Sequence, residues 1–213
     1  MRKCMTILAL LMMLIAGIAA AATAQSSYPD NVTQALEKSG KNRGELERVL
    51  AHCSVASDDP LKLQAAYFLI GNMEGHSYVT YFLKDTVGNA VDFSTLNYPN
   101  YDSLTADFKQ LVAKHGTLDF DRKETLEDLD VITADFLIKQ IDYAFKAWRE
   151  RPWAKKLTFD QFCEYVLPYR GSEEPLEDWR ETFWNKYQDL PEKMADSTNP
   201  IEATKLINKD VMT

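Results

Sequence analysis

The sequence predicts an all-α protein, an orthogonal bundle of about six to eight helices that follows a cleaved signal peptide. Apolar residues recur at helical spacing through most of the chain, and residues typical of helix starts and ends flank these stretches. The connections between them are short, with no internal repeat, low-complexity tract or long linker. Residues 25–213 are therefore predicted to form one helical domain.

Two helices are predicted in the first third of the mature chain. Asn42 followed by Glu45 is typical of a capping pair, and an apolar stripe follows it. The run Asp58-Asp59-Pro60 is a strong helix start, because an acidic residue caps the first turn and proline is tolerated at the first helical position. That second helix is expected to end within residues 71–75.

The stretch 76–101 is harder to assign. Every second residue from Val79 to Leu83 is apolar or aromatic, as in a short strand. Tyr78, Phe82 and Leu83 would also share one face of a helix. Asparagine and proline interrupt the stretch, and we predict that it is mostly irregular.

Five further helices are predicted in the rest of the chain. Their predicted caps or first residues are Asp102, Thr133, Thr158, Pro175 and Asn199. Thr158 with Gln161 three residues later is the pattern of a capping box. Gly116 and Pro152 are expected to end the first two of these helices, because glycine adopts a left-handed conformation easily and proline cannot continue a helix.

Residues 1–24 are predicted to be a signal peptide. Arg2 and Lys3 form a positive start, residues 7–22 form an apolar run, and Ala22-Thr23-Ala24 offers a small-x-small cleavage site. Cleavage is therefore expected before Gln25, since the run is short for a membrane span. No cysteine follows the run for lipid attachment. The mature protein is predicted to be periplasmic or secreted, and not an integral membrane protein.

The charge balance excludes two classes of partner. The chain has 32 acidic and 24 basic residues, a formal net charge of −8 at pH 7. Nucleic-acid binding requires a basic face that neutralises phosphates, so we predict no nucleic-acid partner. Docking on an anionic membrane surface is disfavoured for the same reason.

The two cysteines of the mature chain lack the setting of a nucleophile. A reactive thiolate needs a helix N-terminus or a nearby cation to stabilise its charge. Cys163 is predicted inside a helix, and Cys53 near the C-terminal end of one, where the helix dipole disfavours a thiolate. We interpret both as buried free thiols, with a disulfide between them as the less favoured alternative.

Metal and cofactor sites are not evident either. His52, His76 and His115 have no spacing that converges on one helical face. Asp119-Phe120-Asp121 followed by Asp128 and Asp130 is only weakly similar to a calcium loop, and we interpret it as a solvated acidic turn. No phosphate-binding loop or nucleophile elbow occurs. The sequence therefore predicts no metal, no cofactor and no catalytic residue, and favours a protein that is not an enzyme.

The most unusual feature is a concentration of aromatic residues near the C-terminus. All four tryptophans lie in the last third of the chain, interleaved with arginines. Exposed aromatic rings beside guanidinium groups bind sugars or peptides through stacking and paired hydrogen bonds. The candidate binding residues are Trp153, Tyr169, Arg170, Trp179 and Arg180. The favoured alternative is an aromatic core rimmed by Arg–Glu pairs.

Two sets of segments resemble a known family. The first set is Asn42-Arg43-Gly44-Glu45-Leu46-Glu47, Asp59-Pro60-Leu61-Lys62-Leu63 and Phe68-Leu69-Ile70-Gly71-Asn72-Met73-Glu74-Gly75-His76. The second is Ala147-Trp148, Arg151-Pro152-Trp153-Ala154, Phe159, Phe162-Cys163-Glu164-Tyr165-Val166-Leu167-Pro168-Tyr169-Arg170 and Glu174-Pro175-Leu176-Glu177-Asp178-Trp179-Arg180. Together they are similar to the N-terminal helical region of secreted bacterial transglutaminase-like proteins, over most of the mature chain. One departure is Glu74, where the family motif is expected to have proline.

The resemblance implies a non-catalytic module. In that family the helical region precedes a papain-like domain whose cysteine, histidine and aspartate perform acyl transfer or amide hydrolysis. The helix predicted over 200–210 resembles the lead-in to that domain, and its catalytic residues have no counterpart in this sequence. The implied function is to pack against such a domain, in cis or in trans, or to present substrate to it. The residues alone leave open a stand-alone periplasmic protein that binds glycan or peptide at the aromatic and arginine surface.

Overall fold

The computed structural model describes residues 28–55 and 59–211, apart from the side chain of Leu96. The predicted signal peptide and its cleavage site lie outside these described residues. No helix within them is long and apolar enough to cross a membrane.

Nine α-helices and three strands make up the described part of the chain. The helices are α1 (Asp30–Lys38), α2 (Arg43–Val55), α3 (Pro60–Gly71), α4 (Tyr101–His115), α5 (Asp128–Val131), α6 (Ala134–Glu150), α7 (Phe159–Tyr165), α8 (Trp179–Lys186) and α9 (Pro200–Val211). The strands are β1 (Ser77–Lys84), β2 (Ala90–Val91) and β3 (Asp119–Glu127). The prediction of an all-α bundle of about six to eight helices is therefore wrong, because the fold is mixed α/β.

The three strands form one antiparallel sheet in the order β2-β1-β3. β1 pairs with β3 over its whole length, from Ser77 opposite Glu127 to Lys84 opposite Asp119. β2 lies opposite only Leu83 and Lys84 at the end of β1. The central strand therefore has one fully paired edge and one edge that is covered only at its end.

The sheet corrects two predictions. Residues 119–121 belong to β3 rather than to a solvated acidic turn, and residues 77–84 form β1 rather than an irregular segment. Most of β3 is exposed, so it lacks the apolar alternation that identifies a half-buried strand. β3 is held by main-chain pairing with β1, a long-range contact that side-chain periodicity does not reveal.

The main core lies among the helices. Its fully buried large side chains include Leu36 of α1, Leu46 and Leu50 of α2, Ile70 of α3, Leu137, Ile141 and Phe145 of α6, and Phe162 of α7. Trp148 stacks on Phe162 with ring centroids 4.4 Å apart. Trp148 and Phe162 therefore belong to the main core, whereas Arg180 donates to backbone carbonyls rather than to an acidic partner at its rim. Burying a side chain of this size contributes about 1.5–3 kcal/mol.

A second, smaller core lies near the C-terminus. Tyr187, Leu190, Met194 and Ala203 are buried together, and Trp153 packs against them. This small core joins α8 and α9 to the short 3₁₀ turn that follows α6. Trp148 and Trp153, two of the four tryptophans, thus pack against different cores.

Several predicted helix ends are confirmed. The Asp59 carboxylate accepts a hydrogen bond from the Leu61 N–H at 3.1 Å, and proline occupies the first position of α3. Thr158 and Gln161 form the reciprocal capping box at the start of α7. Gly116 ends α4 with φ of 80°, a conformation that favours glycine.

The Asn42–Glu45 capping pair is wrong, because both side chains bond to a distant part of the chain. The Asn42 amide donates to the carbonyls of Leu129 and Ile132, at 3.1 and 2.9 Å. The Glu45 carboxylate accepts from the Ala134 N–H at 2.7 Å. These bonds tie the start of α2 to α5 and α6, so local sequence motifs alone do not describe them.

Two other predicted helix starts are displaced. The cap of α4 is Asn100 rather than Asp102, and its side chain accepts from the Ser103 N–H at 2.9 Å. The helix predicted from Pro175 begins only at Trp179. The segment before it is a loop.

Candidate binding site

Residues 164–180, from the end of α7 to the start of α8, line several cavities. We call this stretch the connecting segment. The loop groove, of about 670 Å³, is lined by Glu164, Tyr165, Arg170, Glu177, Trp179 and Arg180 among others. The aromatic cleft, of about 160 Å³, is lined by Arg151, Trp153, Trp179, Arg180, Phe183 and Trp184 among others. Trp179 and Arg180 line both, so the two cavities meet at the start of α8.

A buried polar cluster anchors the connecting segment. Asp128, the first residue of α5, is fully buried, and one of its carboxylate oxygens accepts from two groups. The Tyr169 hydroxyl donates to it at 2.5 Å, and Nη2 of Arg170 lies 2.7 Å from it. Burial, together with the Asp128 carboxylate, raises the pKa of Tyr169 far above its ordinary value, so the phenol stays protonated and donates.

Arg180 holds the other end of the connecting segment. Its Nη2 donates to the carbonyls of Val166, Leu167 and Pro168, at 2.6, 3.1 and 2.6 Å. These carbonyls belong to the last turn of α7 and the residues after it, which lack helical partners. Burial lowers the pKa of Arg180 to about 10, so the guanidinium remains charged at neutral pH. Arg180 therefore acts mainly as an internal support.

Trp179 is the exposed aromatic side chain at the centre of the site. Its indole N–H donates to the Tyr169 carbonyl at 2.7 Å. The Arg180 guanidinium lies 4.5 Å from the ring centre, and Phe183 meets the ring edge-on at 6.1 Å. The residue nevertheless keeps 38% of its surface exposed. The structure thus fixes the orientation of the ring while leaving part of it open to a ligand.

The aromatic cleft is built around Arg151. Its guanidinium lies 4.1 Å from the centre of the Trp184 ring and 5.7 Å from that of Trp153. Nη1 of Arg151 donates to the Gln188 carbonyl at 3.0 Å. Burial lowers the pKa of Arg151. At about 160 Å³ the cleft is smaller than the roughly 300–1,000 Å³ of a pocket for a drug-sized ligand, so it fits a single ring.

The five predicted binding residues have different environments. Trp153, Trp179 and Arg180 meet at the aromatic cleft. Arg170 joins Trp179 and Arg180 at the loop groove. Tyr169 is buried, and it lines another cavity, of about 330 Å³, between α3 and the connecting segment. Of the five, Trp179 offers the most exposed aromatic surface.

Two contributors to the site are not predicted from the sequence. Tyr165 is 76% exposed and lines the loop groove. It lies three residues after the buried Phe162, so helical spacing favours burial for it as well. Glu177 is one of many acidic residues in an acidic chain, and its position in the groove depends on the path of the connecting segment.

Neither cysteine in the described part of the chain is an activated nucleophile. Cys53 and Cys163 are buried and free. Burial raises the pKa of each to about 11, so both are neutral thiols near pH 7. Among residues 28–55 and 59–211 no cluster of three or more histidine, cysteine or acidic side chains could hold a metal ion.

No protein-family model, curated protein or solved structure matches this chain. The resemblance to transglutaminase-like proteins therefore rests on the sequence segments alone.

Proposed function

We propose that this protein is an exported carbohydrate-binding protein that holds an oligosaccharide in the loop groove against the ring of Trp179. The proposal rests on two properties of Trp179, its fixed orientation and its partial exposure. Its N–H is satisfied by the Tyr169 carbonyl, while part of its surface stays exposed where two cavities meet. A ring oriented in this way before binding loses little conformational freedom when a ligand stacks on it.

The chemistry of the groove favours sugars. The C–H face of a sugar ring is apolar and packs on an aromatic face, while its hydroxyls donate to acceptors around it. Tyr165 adds a second exposed ring to the same groove, and Glu164 and Glu177 bring carboxylates. Ionised carboxylates only accept hydrogen bonds, so they suit hydroxyl donors.

The volume of the loop groove and the charge of the protein limit the class of ligand. The loop groove, of about 670 Å³, falls within the roughly 300–1,000 Å³ range of pockets that enclose a sizeable ligand. The protein carries a net charge of −8, and acidic residues line the groove, so a polyanionic glycan would be repelled. The proposal is therefore for a neutral oligosaccharide. A peptide is the alternative ligand for this groove.

The test is titration with neutral hexasaccharides (maltohexaose, cellohexaose and chitohexaose) and with a mixed hexapeptide library, measured by isothermal titration calorimetry. Trp179→Ala should weaken the best oligosaccharide about tenfold or more, equal to roughly 1.4 kcal/mol. Tyr101→Ala is the matched control, because Tyr101 is an exposed aromatic residue on α4 outside the groove. Binding of peptides alone, or equal losses in the two variants, would refute the proposal.

A second candidate is the non-catalytic module of a transglutaminase-like protein. Ile201 and Val211 of α9 are exposed apolar residues on the helix that resembles the lead-in to the catalytic domain. Burying these side chains against a second domain would remove apolar surface from water and so stabilise the contact. The intact mass of the protein exported by its native cell separates the candidates. A mass equal to residues 25–213 favours the stand-alone binding protein, and a much larger mass favours the module.

A further inference from the structure

β1 is the central strand of the sheet, yet one of its edges is largely uncovered. β3 pairs with all of β1, whereas β2 lies opposite only Leu83 and Lys84. In the part of the chain that the structure describes, no other strand pairs with residues 77–82 on the β2 side. An open edge of this kind presents N–H and C=O groups that can pair with another extended chain.

The turn between β1 and β2 shows which backbone groups face the open edge. The Asp85 N–H donates to the Asn89 carbonyl at 3.0 Å, so this N–H points toward the β2 side. Backbone groups of every second residue of an antiparallel strand point to the same side, so those of Leu83 also face β2.

The register between β1 and β3 shifts between Thr80 and Tyr81, where the extra residue, Lys123, lies on β3. β1 therefore keeps its alternation, and the N–H and C=O groups of Tyr81 and Val79 point to the same side as those of Leu83, beyond the end of β2.

A groove of about 590 Å³, which we call the edge groove, lies along this part of β1. It is lined by residues 79–81, by residues 93–95 after β2, and by Pro175 and Glu177 of the connecting segment. Tyr81 is 62% exposed, and Phe120, which also lines the groove, is 52% exposed. The groove therefore extends across β1, from Phe120 on β3 to the residues after β2 that lie beside the open edge.

We propose that the edge groove binds an extended peptide segment of a partner protein, which adds to the sheet as a strand beside Val79 and Tyr81. Main-chain hydrogen bonds to β1 supply the affinity. Side chains at alternate positions of the peptide lie beside those of Val79 and Tyr81, their neighbours across the new strand pair. This inference does not rest on the carbohydrate proposal, because the backbone edge of β1 is not part of the loop groove.

Charge identifies the chemistry of the peptide. Glu177 is the charged residue that lines the edge groove, and the whole chain carries a net charge of −8. A peptide with lysine or arginine near Glu177 is therefore favoured. A second copy of this chain would bring an equally acidic surface to the same edge, and like charges oppose that pairing.

The probe is a capped synthetic heptapeptide in which valine and lysine alternate, titrated into the full chain by calorimetry. The control peptide has the same sequence with N-methyl groups on alternate residues, which removes the donors along one edge. We expect the control to bind about tenfold or more weakly, since each lost tenfold corresponds to roughly 1.4 kcal/mol. Amide hydrogen exchange should slow at Val79 and Tyr81 when the unmodified peptide is added.

Four variants locate the contact of the peptide with the edge groove. Tyr81→Pro removes a backbone donor from the open edge and should weaken the peptide about tenfold, whereas Tyr81→Ala keeps the donor and most of the affinity. Glu177→Lys should weaken binding of the lysine peptide. It should strengthen binding of a peptide in which glutamate replaces lysine. Trp179→Ala should leave peptide binding unchanged, which separates this site from the carbohydrate groove.

Three results would overturn the inference. The first is equal affinity for the plain and N-methylated peptides, and the second is no binding of the plain peptide at about 1 mM, the weakest class of specific affinity. The third is concentration-dependent self-association that Tyr81→Pro abolishes, because a second copy would then occupy the edge. If Tyr81→Pro does not fold, the peptide pair and the exchange of Val79 and Tyr81 decide the question.

Discussion

Asp128 and Arg170 form an ion pair inside the protein. Nη2 of Arg170 lies 2.7 Å from Oδ2 of Asp128, and the two side chains are 6% and 0% exposed. Asp128 directly follows β3, whereas Arg170 belongs to the connecting segment. The pair therefore attaches the sheet to the segment that lines both proposed grooves.

Removing this carboxylate should destabilise the fold strongly. Asp128→Ala leaves Arg170 buried without its counter-charge and Tyr169 without an acceptor, which costs about 3–5 kcal/mol of unfolding free energy. The control is Glu47→Ala, which removes an exposed ion pair with Arg43 and should cost less than about 1 kcal/mol. Urea denaturation measures both. Equal losses of unfolding free energy would show that the buried pair contributes no more to stability than the exposed one.

Arg180→Ala should loosen the connecting segment. Three carbonyls lose their charged donor, and a hydrogen bond to a charged group contributes about 1.5–3 kcal/mol, so we expect a loss of about 3 kcal/mol. Arg48→Ala is the comparison, because Arg48 is exposed and its loss should cost less than about 1 kcal/mol. Thermal and urea unfolding report both effects. A loss below that of Arg48→Ala would contradict the supporting role of Arg180.

Two aromatic residues of α7 should respond in opposite ways. Phe162 is fully buried and stacks on Trp148, so Phe162→Ala should cost about 3–5 kcal/mol of unfolding free energy. Tyr165, three residues later, is exposed, and Tyr165→Ala should stay within about 0.5 kcal/mol. Chemical denaturation distinguishes them. Similar costs would mean that Tyr165 is packed rather than available to a ligand.

The buried thiols should make stability fall at high pH. Burial raises the pKa of Cys53 and Cys163 from the ordinary value of 9.0 to about 11. Between these values the folded protein binds more protons than the unfolded chain, so its free energy of unfolding falls as pH rises. The double variant Cys53→Ala with Cys163→Ala should decline less steeply over that range in urea denaturation. Parallel curves would contradict the expected shift.

The sequence by itself determined where most helices lie, because the hydrogen bonds and caps of a helix connect residues three or four apart. The Thr158–Gln161 capping box and Gly116 at the end of α4 are local features, and both are found as predicted. The concentration of tryptophan and arginine was equally visible in composition. It directs attention to the region around Trp179, where we propose a binding site.

Only the tertiary structure decided which strands pair in the sheet and which contacts the individual site residues make. Asn42 and Glu45 fit a local capping pair by sequence, yet they bond to residues almost ninety positions away. Arg170 has the chemistry of a ligand-binding residue and instead pairs with Asp128. Contacts between distant segments depend on how the whole chain packs, since periodicity records which face of an element is apolar but not which partner will cover it.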